Sequence, residues 1–319
     1  MVFVTGATGF LGSYLCLHLI KKGYKIKASK RAQSVIPSLL LPHAQHIEWL
    51  DIDLFDFFEV EEAIENCEAI FHCAASVSFL DSDKKMLWKN NVELTHNLVN
   101  VALEKKDIHF IHVSSIAAVG DAKPGEAMDE NCRWVHKKNS SQYSITKFEA
   151  EREVWRGIHE GLKAVIVNPS VILGYNEQAV GSMKLIDQVK KGMPFYTSGS
   201  TGFVDVNDVA FAMIYLFEQK ISGQRYIINS ENKSYKELFG TIAQKLNKPA
   251  PSTYIYKNIL LAICSLVRMF NKKHPLNKYT INTAYKQSNY SNNKFKQLIN
   301  HTFIPPEKSL DNMLNKKIS

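Results

Sequence analysis

The sequence predicts an α/β fold in which a doubly wound parallel sheet carries a smaller C-terminal α/β lobe. Two observations predict it. Over the first half of the chain, short apolar runs alternate with longer amphipathic segments, which is the pattern of a parallel sheet covered by helices. From about residue 175 the pattern changes to separate helices and short strands, which is typical of an added lobe.

The elements of the sheet follow one another along the first half of the chain. Six strands are expected, at residues 2–5, 25–28, 47–50, 69–74, 110–114 and 164–169. Helices are expected between them at residues 11–22, 60–66, 87–105 and 144–160. Gly23 and Gly161 follow two of these helices and are placed to end them.

A glycine-rich segment with the sequence TGATGFLG, residues 5–12, joins the first strand to the first helix. In this context Gly6 allows a tight turn, Gly9 lets backbone N–H groups approach a pyrophosphate, and Gly12 lets the helix pack closely on the strand. The N-terminus of the helix adds partial positive charge. The segment therefore predicts a Rossmann-type fold that binds a dinucleotide.

The predicted domain organisation follows from this assignment. Residues 1–174 form the dinucleotide-binding domain, to which residues 203–230 partly return, and residues 175–319 form a smaller substrate-binding lobe. Elements of the lobe are expected at residues 184–191, 206–218, 225–229, 235–246 and 258–270. We expect the lobe to lie over the carboxyl edge of the sheet, because open α/β sheets bind their ligands there.

Composition and charge are those of a soluble globular protein. Hydrophobic residues make up 45% of the 319 residues and charged residues 22%. The net charge of +8 is concentrated near the C-terminus, where residues 236–319 carry fourteen Lys and Arg against three Asp and Glu. Lysine is accompanied there by many asparagines and isoleucines, so we attribute the charge to compositional bias and expect no nucleic-acid partner.

The cysteines and the start of the chain give two further expectations. Five cysteines without CxxC spacing and eleven histidines without an HExxH pairing predict no metal site. The first strand begins directly after Met1, which leaves no room for a leader sequence. We therefore expect a cytoplasmic protein.

The end of the second strand indicates which dinucleotide is bound. An acidic residue at this point would hold a ribose diol, but the chain continues with Ser29, Lys30 and Arg31. Two cations can pair with a 2′-phosphate, and arginine does so in a forked geometry. The sequence therefore favours NADP(H), with NAD(H) as the alternative. After the third strand, Asp53 is placed either to contact the adenine amino group or to cap the next helix.

The pattern Tyr143-Ser144-Ile145-Thr146-Lys147 is the main catalytic signal. Tyr143 and Lys147 are four residues apart at the start of a predicted helix, so they share one face. A tyrosine with a pKa near 10 becomes an effective acid or base at neutral pH when a cation favours its phenolate, and Lys147 is that cation. The fifth strand ends in two serines that can polarise a substrate oxygen, of which Ser115 is preferred to Ser114.

Taken together, these motifs resemble the extended short-chain dehydrogenase/reductase family, also described as NAD-dependent epimerases/dehydratases. The resemblance is carried by TGATGFLG, the Asp53-Leu54 pair, FHCAA at 71–75, NVE at 91–93, HVSS at 112–115, YSITK, NPS at 168–170 and FVDVNDVA at 203–210. It implies a Ser115–Tyr143–Lys147 triad, in which Lys147 also holds the nicotinamide ribose. It also implies that Ala74, Ala75 and Asn168 line the cofactor and that Asn91 supports the lysine through water. Together with the residues already identified, the predicted cofactor contacts are Gly6, Thr8, Gly9, Phe10, Leu11, Gly12, Lys30, Arg31, Asp53, Leu54, Ala74, Ala75, Asn91, Tyr143, Lys147 and Asn168.

Within this family the chain is similar to the dihydroflavonol 4-reductase-like branch, through VIVNPSVILG at 165–174 and FVDVNDVA at 203–210. This likeness implies NADPH-dependent reduction of a ketone or aldehyde. A dehydratase of the family would carry an acidic pair after the serine, where this chain has Ile116 and Ala117. The family often forms dimers through the helices at 87–105 and 144–160, so a homodimer is compatible with the sequence.

Two rival functions and one rival location stay open. A nucleotide-sugar epimerase would need arginines that clamp a diphosphate, but residues 175–260 contain only Arg225, which favours a small and relatively uncharged substrate. A sensor that binds NADP(H) without turnover would not need the complete triad.

The apolar run at 259–267 is far too short to span a bilayer. We expect it to pack in the core or against the pocket rather than on a membrane surface.

Overall fold

The structure is a computed structural model that describes residues 1–105, 107–137, 140–177, 181–271 and 276–316. Its strands, in chain order, are β1 (Val2–Thr5), β2 (Ile26–Lys30), β3 (Ile47–Asp51), β4 (Ala69–His72), β5 (His109–Val113), β6 (Lys163–Pro169), β7 (Val171–Leu173), β8 (Phe195–Tyr196), β9 (Ser200–Asp205), β10 (Gln224–Ile228), β11 (Glu231–Ser234) and β12 (Thr253–Tyr254).

The α-helices enclose the sheet or build the lobe. In chain order they are α1 (Phe10–Lys21), α2 (Phe57–Ala63), α3 (Lys84–Leu87), α4 (Leu94–Glu104), α5 (Gln142–His159), α6 (Met183–Lys190), α7 (Val206–Glu218), α8 (Tyr235–Lys245), α9 (Lys257–Phe270), α10 (Lys278–Tyr285), α11 (Asn293–Lys296) and α12 (Pro306–Leu314). A π-helical turn, Trp88–Glu93, separates α3 from α4 within the segment predicted as one helix.

The central sheet is parallel and has the strand order β10-β6-β5-β4-β1-β2-β3. Successive strands are added from β1 through β2 to β3 toward one edge of the sheet. From β4 onward they are added through β5 and β6 to β10 toward the other edge. The direction of building therefore reverses between β1 and β4, which is where open α/β sheets bind their ligands. This arrangement confirms the predicted doubly wound Rossmann-type fold.

The sheet has seven strands rather than the six expected in the first part of the chain. The additional strand is β10, which pairs with β6 in the register Tyr226↔Val167. Its apolar residues Tyr226, Ile227 and Ile228 are buried. β10 lies within residues 203–230, which the sequence predicts to return partly to the first domain, but an edge strand carries no local sign of its neighbour, so its pairing with β6 could not be read from its own residues.

Alternation along the strands divides the core between the two faces of the sheet. Val2 and Val4 point to one face, where the core includes residues of α1 and α7. Phe3 points to the opposite face, where it joins Leu98 of α4 and Val154 of α5. Both faces are thus covered by helices, as parallel sheets require.

Apart from β10 and α7, which belong to the central sheet and its core, much of the later part of the chain forms a smaller structure with its own apolar cluster. It contains a three-stranded sheet, β11-β9-β7, and a two-stranded pair, β12-β8. Leu173, Ile186, Phe203 and Leu238 are among the buried residues that pack together there. The domain boundaries proposed from the sequence remain a prediction.

Helix α9 differs from its expected packing. The sequence predicts that its apolar run lies in the core or against the pocket, and this expectation is wrong. Within α9 only Cys264 is buried, while Leu266 and Phe270 are 60% and 85% exposed. Among the described residues, no helix combines the length and the apolar character that crossing a membrane requires.

Candidate active site

The glycine-rich loop between β1 and α1 is shaped by close backbone contacts. Gly6 has a φ of +69°, and a Cβ placed on it would lie 2.7 Å from the backbone nitrogen of Ala74. A Cβ on Gly12 would lie 2.2 Å from the carbonyl oxygen of Gly6. These two positions therefore admit only glycine without a shift of the backbone.

The loop leaves the first turn of α1 available to an anion. Gly9 is the N-cap of the helix and makes no side-chain cap to its first N–H groups. Such groups carry partial positive charge and bind phosphate readily. Leu11 is buried in the core, so only its backbone can contact a ligand here. The loop fits the pyrophosphate of a dinucleotide.

A cleft opens beside this loop. It is lined by Thr8, Gly9 and Phe10 of the loop region, by residues 35–39 after β2, and by residues 175–177. The Tyr14 hydroxyl donates a hydrogen bond to the carbonyl oxygen of Tyr175 at 3.1 Å, which ties α1 to the segment after β7. The cleft thus lies at the carboxyl edge of the sheet, next to the proposed phosphate site.

The two cations predicted to select the dinucleotide lie at the same edge. Lys30 is the last residue of β2 and is half-buried, and Arg31 follows it as an exposed residue. The chain then runs directly into residues 35–39, which line the cleft. Their contact with a 2′-phosphate remains a prediction.

Asp53 and Leu54 follow β3. An Asp53 carboxylate oxygen accepts a hydrogen bond from the backbone N–H of Phe55 at 3.0 Å. Asp56, rather than Asp53, caps α2, because its side chain accepts from two backbone N–H groups in the first turn. The carbonyl of Leu54 accepts from the side chain of Asn97 at 2.9 Å. Of the two roles considered for Asp53, the contact with adenine remains as a prediction.

A buried polar chain supports the loop after β4. The Thr5 hydroxyl lies 2.8 Å from His72 Nδ1, and the backbone N–H of Ala74 donates to the same hydroxyl at 3.2 Å. His72 Nε2 lies 3.0 Å from the Thr95 hydroxyl. Burial lowers the pKa of His72 to about 3, so the ring is neutral. These hydrogen-bonded side chains fix Ala74 next to Gly6. Ala75, the next residue, is exposed.

Asn91 joins the loop after β4 to helix α5. It is 1% exposed and lies in the π-helical turn. Its side chain accepts from the N–H of Ser76 at 2.7 Å and donates to the Ser76 carbonyl at 3.0 Å and to the Thr146 hydroxyl at 3.1 Å. Asn91 thus contacts the residue before Lys147, and a water-mediated contact with the lysine itself remains a prediction.

Tyr143 and Lys147 lie in the first two turns of α5, whose N-cap is Ser141. Lys147 is 2% exposed, and its Nζ donates a hydrogen bond to the carbonyl oxygen of Val113 at 2.8 Å. Burial lowers the pKa of Lys147 to about 8, and the nearby Glu151 acts in the opposite direction. The ammonium is therefore fixed at the carboxyl end of β5, and its pKa of about 8 is close to neutral pH.

Ser115 comes directly after Ser114, where β5 has ended, and lies beside Tyr143. Its hydroxyl accepts from the N–H of Ala117 at 3.1 Å. Burial raises the pKa of Tyr143, and a hydrogen-bond interaction with the Ser115 side chain opposes the rise. The sequence assigns the pKa-lowering effect to Lys147, but here it comes from Ser115, because the lysine is directed to Val113.

A residue that the sequence did not suggest forms a wall of this site. The ring of Phe79, on the loop after β4, lies 5.8 Å from the ring of Tyr143 between centroids. The backbone carbonyl of Phe79 accepts from the side chain of the buried Asn277 at 2.7 Å. No motif relates these three positions, so only the fold brings them together.

Glu151 is a second residue that the sequence motifs did not indicate. It lies one helical turn after Lys147 and is 1% exposed, and burial raises its pKa. Arg225 Nη1 lies 3.4 Å from its carboxylate, and the Asn168 side chain donates to it. The spacing of four residues through Tyr143, Lys147 and Glu151 was a signal that could have revealed it.

Asn168 connects this ion pair to Ser115. Its Nδ2 donates to the carbonyl of Ser115 at 2.9 Å. Its Oδ1 is buried and has no hydrogen-bond partner among the described residues. Buried polar atoms are normally paired, so this oxygen is suited to a donor on a bound ligand. It lies at the carboxyl end of β6, at the edge where a dinucleotide would bind.

The assembled site can support proton transfer next to a bound dinucleotide. A phenol and a hydroxyl, from Tyr143 and Ser115, interact at the carboxyl edge of the sheet, and the buried ammonium of Lys147, one helical turn after the tyrosine, is held at the end of β5. The glycine loop and the cleft adjoin them across the reversal point between β1 and β4. This combination is typical of a site that exchanges a proton and a hydride with a substrate.

Comparison with known proteins supports this description. A family model described as the NAD dependent epimerase/dehydratase family matches residues 2–229. A protein of Synechocystis sp., provisionally named a dihydroflavonol 4-reductase, is 30% identical over 260 residues, which cover 79% of this chain and 74% of the relative.

Solved structures also resemble the chain over nearly its whole length. The crystal structure of gox2253 has a TM-score of 0.85 and 27% identity, and covers 99% of this chain and 97% of its own. The UDP-glucose 4-epimerase of Thermus thermophilus, solved with NAD, has a TM-score of 0.76 at 19% identity, with 98% and 97% covered. The second likeness shows the fold alone.

Proposed function

The chain belongs to the NAD-dependent epimerase/dehydratase family and is an enzyme of the oxidoreductase type, and we propose that it is an NADP(H)-dependent reductase or dehydrogenase. Its substrate is a carbonyl or alcohol on a small and relatively uncharged molecule. The observation that carries this proposal is the interaction of Ser115 with Tyr143 at the carboxyl edge of the sheet, with the buried Lys147 one helical turn after the tyrosine.

The residues proposed to hold the cofactor form three groups. The loop with Gly6, Gly9 and Gly12 holds the pyrophosphate, and the N-terminus of α1 provides the N–H donors. Lys30 and Arg31 pair with the 2′-phosphate. The remaining contacts are assigned to Thr8, Phe10, Leu11, Asp53, Leu54, Ala74, Ala75, Asn91, Tyr143, Lys147 and Asn168. When bound, NADP(H) supplies or accepts the hydride.

Side chains of the protein are proposed to transfer the proton to and from the substrate. Ser115 holds the carbonyl oxygen of the substrate through its hydroxyl, and Tyr143 donates a proton to that oxygen during reduction. Ser115 lowers the pKa of Tyr143 before reaction. Lys147, one helical turn away, is proposed to add to the stabilisation through its positive charge once the tyrosinate has formed. Its ammonium has three N–H donors, and the one described contact is with Val113, so further donors can hold the ribose hydroxyls. In the oxidation direction Tyr143 accepts the proton instead.

Support for a reductase over an epimerase comes from Arg225. This residue is the only arginine between residues 175 and 260. Its guanidinium donates to the carbonyl oxygens of Glu130 and Cys132 and lies against Glu151. A side chain engaged in this way is not placed to clamp a diphosphate, so the site suits a substrate without one.

A screen of NADPH consumption tests the proposal. The full-length protein is mixed with NADPH and a panel of aldehydes, ketones and UDP-sugars, and absorbance of the reduced nicotinamide is followed. We expect oxidation of NADPH with at least one aldehyde or ketone. Conversion of a UDP-sugar without net oxidation would instead identify an epimerase. Tight NADPH binding with no turnover across the panel would identify a sensor.

A further inference from the structure

Helix α9 turns an apolar stripe toward solvent. Ile259, Ile263, Leu266 and Phe270 are spaced by four, three and four residues, which places them on one face of the helix. They are 52%, 41%, 60% and 85% exposed, while Cys264 on the opposite side is buried. A helix that contributed to the core would turn such a stripe inward. The outward stripe therefore needs an apolar environment that the described residues do not provide.

Aromatic residues lie at the start of this helix. Tyr256, the N-cap of α9, is 65% exposed, and its ring lies 5.0 Å from that of Tyr254. Tyr254 in turn lies 5.7 Å from Tyr196, over which the Lys236 ammonium is centred at 4.5 Å. Rings with a polar tip, and lysines beside them, are suited to the boundary between water and lipid.

The chain segment that carries the stripe contains charges of one sign, and two of its lysines, Lys245 and Lys286, pair with Asp311 and Asp121 elsewhere in the chain. Residues 238–306 contain ten Lys and Arg and no Asp or Glu. Lys257 and Lys278, the first residues of α9 and α10, are both exposed. A surface that combines an apolar helix face with cations is complementary to anionic lipid headgroups over an acyl layer.

A second copy of the chain fits this surface less well. Two-fold association places the same patch of each copy against the other. Lys257 and Lys278, which begin α9 and α10, would then be brought toward their copies, and like charges across an interface disfavour association. The charge pattern thus selects an anionic partner.

The inner side of α9 is linked to the candidate active site. Cys264 of α9 donates to the carbonyl oxygen of Leu276 at 3.4 Å, and the next residue, Asn277, donates to the carbonyl of Phe79. Phe79 lies against Tyr143. The loop that carries Phe79 also exposes Val77, which is 66% accessible to solvent. A bilayer bound on the outward side of α9 would therefore lie one helix away from the contacts that lead to Tyr143.

We propose that the outward face of α9, formed by Ile259, Ile263, Leu266 and Phe270, docks the protein on an anionic lipid surface. The helix lies in the plane of the headgroups, with this face toward the acyl chains and the cations toward the phosphates. The proposal concerns a surface outside the Ser115–Tyr143–Lys147 site, so it stands or falls independently of the proposed reaction.

Cosedimentation with vesicles tests the proposal on the full chain. We expect binding to vesicles of mixed phosphatidylcholine and phosphatidylglycerol, weaker binding to pure phosphatidylcholine, and loss of binding as salt rises. Leu266→Ser combined with Phe270→Ser should weaken binding by about a hundredfold, because two exposed apolar side chains no longer enter the acyl layer. Phe58→Ser is the matched control: Phe58 is 76% exposed on α2, and its loss should leave binding unchanged.

A charge variant tests the second half of the surface. Lys257→Glu combined with Lys278→Glu should weaken binding to the anionic vesicles by at least about 25-fold, at about fivefold for each cation removed. Both residues are exposed and begin a helix, where a carboxylate is favourable, so folding should be preserved. Circular dichroism checks the fold of every variant.

Three results would overturn the proposal. The first is a wild-type protein that stays in the supernatant with anionic vesicles at low salt. The second is a folded Leu266→Ser/Phe270→Ser variant that binds as well as the wild type. The third is a wild-type dimer that becomes a monomer in the same variant by analytical ultracentrifugation, without vesicle binding in either form, which would identify a contact between copies.

Discussion

Lys147 Nζ donates a hydrogen bond of 2.8 Å to the carbonyl oxygen of Val113, the last residue of β5. This contact fixes the cation of the proposed site to the strand that leads to Ser115. Because the lysine is buried and its pKa is lowered to about 8, its charge is sensitive to pH in the range where enzymes work. The proposed chemistry can therefore be tested through this residue and through its neighbours.

Replacing the proposed acid should separate catalysis from binding. Tyr143→Phe removes the hydroxyl that donates the proton, and general acids contribute about 10²- to 10⁴-fold to rate, so turnover should fall at least that far. NADPH affinity, measured by fluorescence titration, should stay nearly intact. Tyr215→Phe is a matched control, because the Tyr215 hydroxyl donates to the Leu298 carbonyl on another part of the surface. Full activity in Tyr143→Phe would remove Tyr143 from the mechanism.

The rate of reduction should fall above about pH 8. The folded pKa of Lys147 is below its ordinary value because burial disfavours the ammonium. As pH rises through about 8 the lysine loses its proton, and the positive charge that stabilises the tyrosinate is lost with it. The measurement is kcat/KM against pH.

The conservative variant Lys147→Arg provides the check on this pH dependence. Arginine stays protonated throughout the range, so any activity that the variant keeps should lack the decline above about pH 8. A wild-type profile that stays flat to about pH 10, the ordinary range of lysine, would contradict the role given to the ammonium.

Removing the two cations after β2 should reduce affinity for NADPH alone. Lys30→Ala combined with Arg31→Ala deletes the partners proposed for the 2′-phosphate. Hydrogen bonds to charged groups contribute about 1.5–3 kcal/mol each, so Kd for NADPH should rise by at least about tenfold while Kd for NADH stays the same. Lys27→Ala, on the same strand away from its carboxyl end, is the control. Equal affinity for NADH and NADPH in the wild type would show that these residues select nothing.

The fold was more predictable than the surroundings of the site. The strands of the sheet are apolar runs bounded by turn residues, so their positions could be read directly. An apolar stripe predicts a helix such as α9, but its spacing is the same whether the stripe faces the core or the solvent. Phe79 and Arg225 are far from Tyr143 and Glu151 in sequence, and no spacing rule relates residues that only the fold brings together.

Gly12→Ala should disrupt the cofactor loop. The added Cβ would lie 2.2 Å from the carbonyl oxygen of Gly6, and backbone must move to admit it. Overpacking of this kind costs about 1–3 kcal/mol, so we expect a lower urea midpoint and weaker NADPH binding. Gly240→Ala in α8 is the control: nothing lies within 4 Å of a Cβ there, and alanine should stabilise the helix by about 0.5–1 kcal/mol. Unchanged NADPH affinity in Gly12→Ala would contradict the placement of the phosphates.

The buried pair of Glu151 and Arg225 should affect both stability and the pH profile. Arg225→Met leaves the carboxylate buried without its cation, which costs about 3–5 kcal/mol of unfolding free energy in such pairs. Lys22→Met is the matched control: its pair with Glu218 is largely exposed, so its loss should cost no more than about 1 kcal/mol. Urea denaturation compares the two variants, and equal losses would show that burial adds nothing to the Glu151 pair.

Glu151→Gln tests how the same pair acts on the catalytic lysine. The Glu151 carboxylate raises the pKa of Lys147 against the effect of burial. Removing that negative charge should lower the pKa of the lysine further, so the decline of kcat/KM should begin below about pH 8. Glutamine keeps an oxygen for the hydrogen bond from Asn168, so the carbonyl of Ser115 should stay in place and KM should change little. A lower rate with an unshifted pH profile would show that Glu151 only supports the fold, whereas a shift to lower pH would identify it as a positioning residue that sets the charge of Lys147.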